Sequence, residues 1–185
     1  MSQTTGRPGR YNRTSGGLVG AMIITVLLVV VFASVRGLVF GDRSSDVASV
    51  DWEAQVRAGR ADGKLTVPAP RSLPESWRAT SAAYATGTAP SWRMGVVTGD
   101  ELYLGIYERL GSVADLVEEH VDANAEQGED VTVAGETWQS FSDSGGDYAL
   151  VRRVEEPQGG RGTVLVVGTV PRTEVRDYVA GLTTG

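Results

Sequence analysis

The chain has no cysteine, a single histidine (His120) and a single lysine (Lys64) in 185 residues. The missing cysteine excludes disulfides, thiolate zinc sites, cysteine nucleophiles and the lipidated cysteine of a bacterial lipoprotein. One histidine cannot supply the multi-histidine ligand set of a catalytic zinc. Positive charge is also short: the formal net charge is −6, which argues against a nucleic-acid partner. Apolar residues make up 41% and charged residues 22%. That balance fits neither a wholly disordered chain nor a polytopic membrane protein, and the length allows one modest domain with an appendage.

The charge is unevenly placed. Residues 1–41 carry Arg7, Arg10, Arg13 and Arg36 and no acid, a balance of +4 against −10 for the remainder. From Thr14 to Val35 run 22 consecutive uncharged residues, almost wholly apolar from Leu18 onward. As a helix the 22-residue run would be roughly 33 Å long, matching a hydrocarbon core of about 30 Å. The run exceeds the usual apolar region of a cleavable signal, so it reads as a retained transmembrane helix. Arginines before it place the N-terminus in the cytoplasm and the bulk of the chain outside. Gly16 and Gly20 form a small-xxx-small pair, a candidate helix-packing face for a homo-oligomer within the membrane. Sixteen arginines against one lysine, with abundant Gly, Ala and Val, suggest a GC-rich bacterial genome.

The organisation expected is a basic tail (1–13), the span (14–35), a juxtamembrane helix and linker (36–64) and an extracytoplasmic α+β domain (65–185). Asp46 to Arg60 has helical spacing and ends near Ala61-Asp62-Gly63. The prolines at 68, 70 and 74 make the next stretch extended. Strands are predicted over Trp77–Tyr84, Trp92–Thr98 and Glu101–Arg109, then Glu136–Ser142, Asp147–Glu155 and Thr163–Val170. A helix capped by Ser112, with a stripe of Val113, Leu116, Val117 and Val121, follows the first three strands. A second helix, opened by Pro171 with Val175, Tyr178, Val179 and Leu182 on one face, follows the last three. Three strands and a helix, twice over, imply a mainly antiparallel sheet with two or three helices packed on it.

Leu73-Pro74-Glu75-Ser76-Trp77, Gly95-Val96-Val97-Thr98, Gly135-Glu136-Thr137-Trp138 and Gly168-Thr169 together carry a family resemblance. The chain resembles the actinobacterial membrane proteins grouped as domain-of-unknown-function family 4245, with Ser76 where that family usually has glycine. The resemblance implies a short basic tail, one N-terminal span and an exported domain. It implies no activity and no site residue.

Templates for catalysis find little purchase. No G-x-S-x-G elbow surrounds a serine, and His120 falls beside Leu116 and Val117, where a histidine at the edge of the core is expected. Asp115, Glu118, Glu119 and Asp122, followed by Glu126, Glu129 and Asp130, lie mostly opposite the apolar stripe and read as a solvated face. They lack the D-x-[DN]-x-[DN]-G loop of a calcium site. Gly159-Gly160-Arg161-Gly162 lacks the lysine of a phosphate loop and reads as a hairpin tip. No catalytic, metal or cofactor residue is assigned.

A surface remains. If Gly99-Asp100 is a two-residue turn, Val96 pairs with Tyr103, Met94 with Gly105 and Trp92 with Tyr107. Trp92, Met94, Tyr103 and Tyr107 then share one face as a candidate binding surface, aromatic and methionine side chains being enriched at interfaces. The function expected is a single-pass, membrane-anchored binding or assembly module of the cell envelope, with envelope proteins or lipids as partners. The alternatives are an envelope hydrolase working through carboxylates and a ligand sensor.

Overall fold

A computed structural model of the protein describes residues 50–184. The expected tail and span, with Gly16 and Gly20, lie outside the described residues. Among those described, no helix is long and apolar enough to cross a membrane.

Helix α1 (Trp52–Asp62) starts at Asp51, whose carboxylate accepts the Ala54 N–H at 2.9 Å, and stops at Gly63 in a left-handed conformation (φ +69°). The chain then runs extended into β1 (Ala69–Pro70). Three antiparallel strands follow, β2 (Arg78–Ala85), β3 (Ser91–Val97) and β4 (Tyr103–Leu110), and then α2 (Val113–His120). The short strands β5 (Glu126–Gln127) and β6 (Val131–Val133) precede β7 (Glu136–Ser142), β8 (Tyr148–Glu155) and β9 (Arg161–Gly168). Helix α3 (Arg172–Ala180) and β10 (Leu182–Thr183) close the chain, β10 pairing with β1.

The large sheet is antiparallel throughout, in the order β2-β3-β4-β9-β8-β7-β5, with β6 also on β7. The two strand triplets therefore meet at β4 and β9, an order that the sequence did not specify. The helices do not share a face. Leu116 and Val117 of α2 pack on Ala149, Val151, Leu165 and Val167. Val175, Tyr178 and Val179 of α3 pack with Leu150, Val164 and Val166, the alternate positions of the same strands. Both faces of β8 and β9 are covered over Tyr148–Val151 and Val164–Val167, which is why these stretches are continuous apolar runs rather than alternating ones.

The hairpin between β3 and β4 corrects the expected register. Three residues, not two, make the loop: Thr98 and Leu102 face each other, the Thr98 N–H bonding the Leu102 carbonyl at 2.9 Å. Glu101 is the additional residue; it turns at φ +60° and is held by Arg78 at 3.0 Å. Val96 consequently pairs with Leu104, Met94 with Ile106 and Trp92 with Glu108. A shift of one residue exchanges faces. Trp92, Met94, Val96, Leu104 and Ile106 all point into the core under α1 and α3, none more than 1% exposed. A second correction concerns α2, which ends at His120, so that Val121, expected on its apolar stripe, is the residue that caps it. The Asp122 carboxylate accepts the Asn124 N–H at 2.7 Å and closes a turn there.

Candidate functional site

Helix α2 covers only the β8 and β9 half of its sheet face. The β2, β3 and β4 half is left with small residues: Ser81, Ala83 and Ala85 on β2, Ser91 and Gly95 on β3, and Gly105 on β4. Gly95 and Gly105 face each other directly. A Cβ on Gly105 would sit 2.6 Å from Tyr103 Oη and 2.9 Å from Tyr107 Cε2, so the glycine allows both rings to lie across the strand. Their hydroxyls are joined at 2.8 Å. Burial holds the Tyr103 phenol above its ordinary value, and the hydroxyl bond to Tyr107 adds to this.

Tyr107 in turn stacks on His120, with centroids 3.7 Å apart and planes 15° from parallel. The sheet face and the C-terminal turn of α2 enclose a groove of about 280 Å³ whose lining includes Ala83, Arg93, Tyr107, Arg109, Glu119 and His120. Burial lowers the imidazole pKa, with Glu119 opposing and Arg109 assisting, so His120 is neutral at pH 7. Arg109 bonds Glu119 at 2.6 Å. Arg93 is exposed and makes no ion pair among the described residues. The groove thus offers one uncommitted guanidinium, an aromatic wall and a floor of small side chains, an arrangement that can hold a flat or extended group carrying negative charge.

Of the four residues expected to share a surface, Tyr103 and Tyr107 are on this open face. Trp92 and Met94 are on the other, in the core, because of the changed register. Trp92 is anchored there by its indole N–H, which donates to the Pro68 carbonyl at 2.9 Å. His120 is half-buried at the core edge, as expected, but also lines the groove. The acids of α2 and the following turns are exposed, as the solvated-face reading requires.

Two buried carboxylates escape the sequence reading. Glu108 is 1% and Glu156 5% exposed, and both face the extended strap of residues 64–70. Glu108 accepts the Val67 N–H at 2.9 Å and the Thr66 hydroxyl; Glu156 Oε2 accepts the Thr66 N–H at 2.9 Å. Burial raises the Glu108 pKa against these donors. Burial first, and then the nearby Glu108 charge, raise that of Glu156 to about 7. Val67 itself sits at φ +48°, a conformation that a β-branched residue avoids and that costs of the order of 1–3 kcal/mol. The Arg60 guanidinium holds its carbonyl at 3.1 and 3.2 Å. Glu108 had a sequence signal, since it continues the inward alternation Leu104, Ile106; Glu156, in the turn after β8, had none.

A family model described as a protein of unknown function, DUF4245, matches residues 10–182, and the chain belongs to that family. No curated protein matches it. Among solved structures, MucB in complex with MucA(peri) is similar at 12% sequence identity and a TM-score of 0.37, over 63% of this chain and 36% of that one. The chain spans little more than a third of that structure's length.

Proposed function

We propose that this DUF4245 protein is a single-pass membrane protein, N-terminus inside, that displays its α+β domain on the outer side of a bacterial, actinobacterial membrane as a binding or assembly module. The anchor rests on the 22-residue uncharged run and the arginines before it. The binding role rests on one observation: half of a sheet face is left uncovered beside α2, where Arg93, unpaired among the described residues, and the stacked Tyr107 and His120 line a groove. Tethering raises the local concentration of membrane-bound partners, so a groove of this modest size suffices for a useful encounter. The partner is an envelope protein or lipid presenting a negatively charged group to Arg93.

A photo-crosslinking residue placed at Ala85, on the groove, tests this in intact cells. It is expected to yield a discrete adduct, whereas the same residue at Thr137, exposed on β7, yields none. Arg93→Glu should reduce the Ala85 adduct about tenfold or more, the equivalent of about 1.4 kcal/mol. Equal capture from both positions, or an adduct indifferent to Arg93→Glu, would refute the docking face.

A further inference from the structure

The strap of residues 64–70 lies over the side of the core that holds Trp92, and it is held by hydrogen bonds to two buried carboxyl groups rather than by secondary structure alone. Leu65 and Val67 are no more than 1% exposed, and only Ala69 and Pro70 are paired in a strand. What seats residues 66 and 67 is the donation of two backbone N–H groups and one hydroxyl to Glu108 and Glu156. Val67 opposes this seating through its left-handed backbone. Glu156 is wedged: a methyl on Gly162 would overlap its Oε1, and that oxygen is buried with no hydrogen-bond partner.

We propose that residues 64–70 form a proton-controlled latch, seated when Glu156 is protonated and loosened when Glu156 ionises. A neutral carboxyl still accepts the Thr66 N–H through Oε2, while an anion leaves charge on an oxygen that neither water nor a donor reaches. The groups facing Glu156 reinforce this. From β4 comes Glu108, an acid. From β2 comes Tyr84, whose hydroxyl donates to Asp62 at 2.7 Å and whose ionisation both glutamates oppose. From α1, Arg60 is bonded to the carbonyls of Val67 and Thr183, and Lys64 beyond it lies 3.5 Å from Asp62. Among the described residues neither glutamate has a cationic partner. Ionisation is therefore opposed where the strap is seated and becomes favourable once the strap lifts and water enters. Lifting would uncover the indole edge of Trp92 and the apolar bed of Leu65 and Val67.

Hydrogen exchange at the Thr66 amide in the full-length chain measures the latch directly. A carboxyl that titrates near 7 when seated and near the ordinary 4.5 when released makes opening roughly 30-fold more frequent at pH 8.0 than at pH 5.5, after correction for the intrinsic exchange rate. Glu156→Gln should shrink that ratio to a few-fold, the remainder belonging to Glu108. A ratio near one in the wild type, or a ratio unchanged by Glu156→Gln, overturns the proposal. Should Glu156→Gln not fold, carboxyl NMR of the wild-type chain decides: a Glu156 midpoint well above 6 supports the latch, and a midpoint near 4.5 removes it.

Discussion

The imidazole of His120, the last residue of α2, lies nearly parallel to the ring of Tyr107 in the middle of β4, 3.7 Å between centroids. This contact ties the end of the helix to the uncovered half of the sheet, and it needs a neutral ring, since burial disfavours the imidazolium. His120→Gln keeps a polar end but loses the stack. It should cost about 1–2 kcal/mol in urea unfolding at pH 7, of which an aromatic pair accounts for about 0.5–1.5 kcal/mol. The folded-state pKa lies below the unfolded one, so the stability that His120 contributes is present above about 6.5 and falls as the pH drops through the folded value. The gap between wild type and His120→Gln should therefore narrow on acidification. A gap that widens would contradict the neutral, stacked ring.

Topology can be tested cleanly because the chain has no cysteine. One cysteine at Ser2 and, separately, one at Asp130 give two reporters for a membrane-impermeant maleimide. Labelling at 130 but not at 2 in intact cells, and at both after lysis, is expected from an anchor with its N-terminus inside. Recovery of a mature chain beginning near Ser34 would establish a cleaved signal instead.

The turn between β6 and β7 is Ala134-Gly135, with φ of +51° and +84° between the paired Val133 and Glu136. Two positive φ values in a two-residue loop favour Asn-Gly over Ala-Gly, because asparagine tolerates the left-handed conformation that alanine resists. Ala134 is exposed, so nothing must repack. Ala134→Asn should raise stability by about 0.5–1 kcal/mol in denaturant melts; a loss would show that the turn is not of this type.

Most of the architecture was legible because it rests on strong local signals. The helix stripes of Leu116 and Val117 and of Val175, Tyr178 and Val179 mark buried faces, and glycines mark the hairpins at 144–146 and 158–162. What failed was a matter of one residue. Glu101 turns within the β3–β4 loop, and nothing in its identity distinguishes a loop member from the first residue of a strand. That single step moved Trp92 and Met94 from an imagined surface into the core. The short pairings β1 with β10 and β5 with β7 were illegible for another reason: each consists of only two residue pairs, and the first joins opposite ends of the domain. The groove was partly visible, in Tyr107, but Arg93 and His120 join it through tertiary packing. Glu156 is buried by a distant strap, and no periodicity encodes that.

Glu108 allows the strap's attachment to be separated from its charge. Its two oxygens take the Val67 N–H and the Thr66 hydroxyl in a site only 1% exposed. Glu108→Ala removes both acceptors and leaves a cavity, which should cost about 2–4 kcal/mol. Glu108→Gln preserves the shape: the amide oxygen can accept from Val67, and the amide NH2 can donate to the Thr66 hydroxyl oxygen, which accepts as readily as it donates. The sign of the pH effect follows from burial raising the folded-state pKa of Glu108 above its unfolded value of 4.5. Its contribution is fully present below pH 4.5 and is lost as the pH rises through the folded value, where the chain must hold an anion without a cation beside it. Glutamine does not titrate. Glu108→Gln should therefore lie within about 1 kcal/mol of wild type at pH 5 and exceed it in stability at pH 8, by urea melts at the two pH values. If glutamine proves as damaging as alanine at both, the ionised carboxylate is itself what holds Val67 in its left-handed turn.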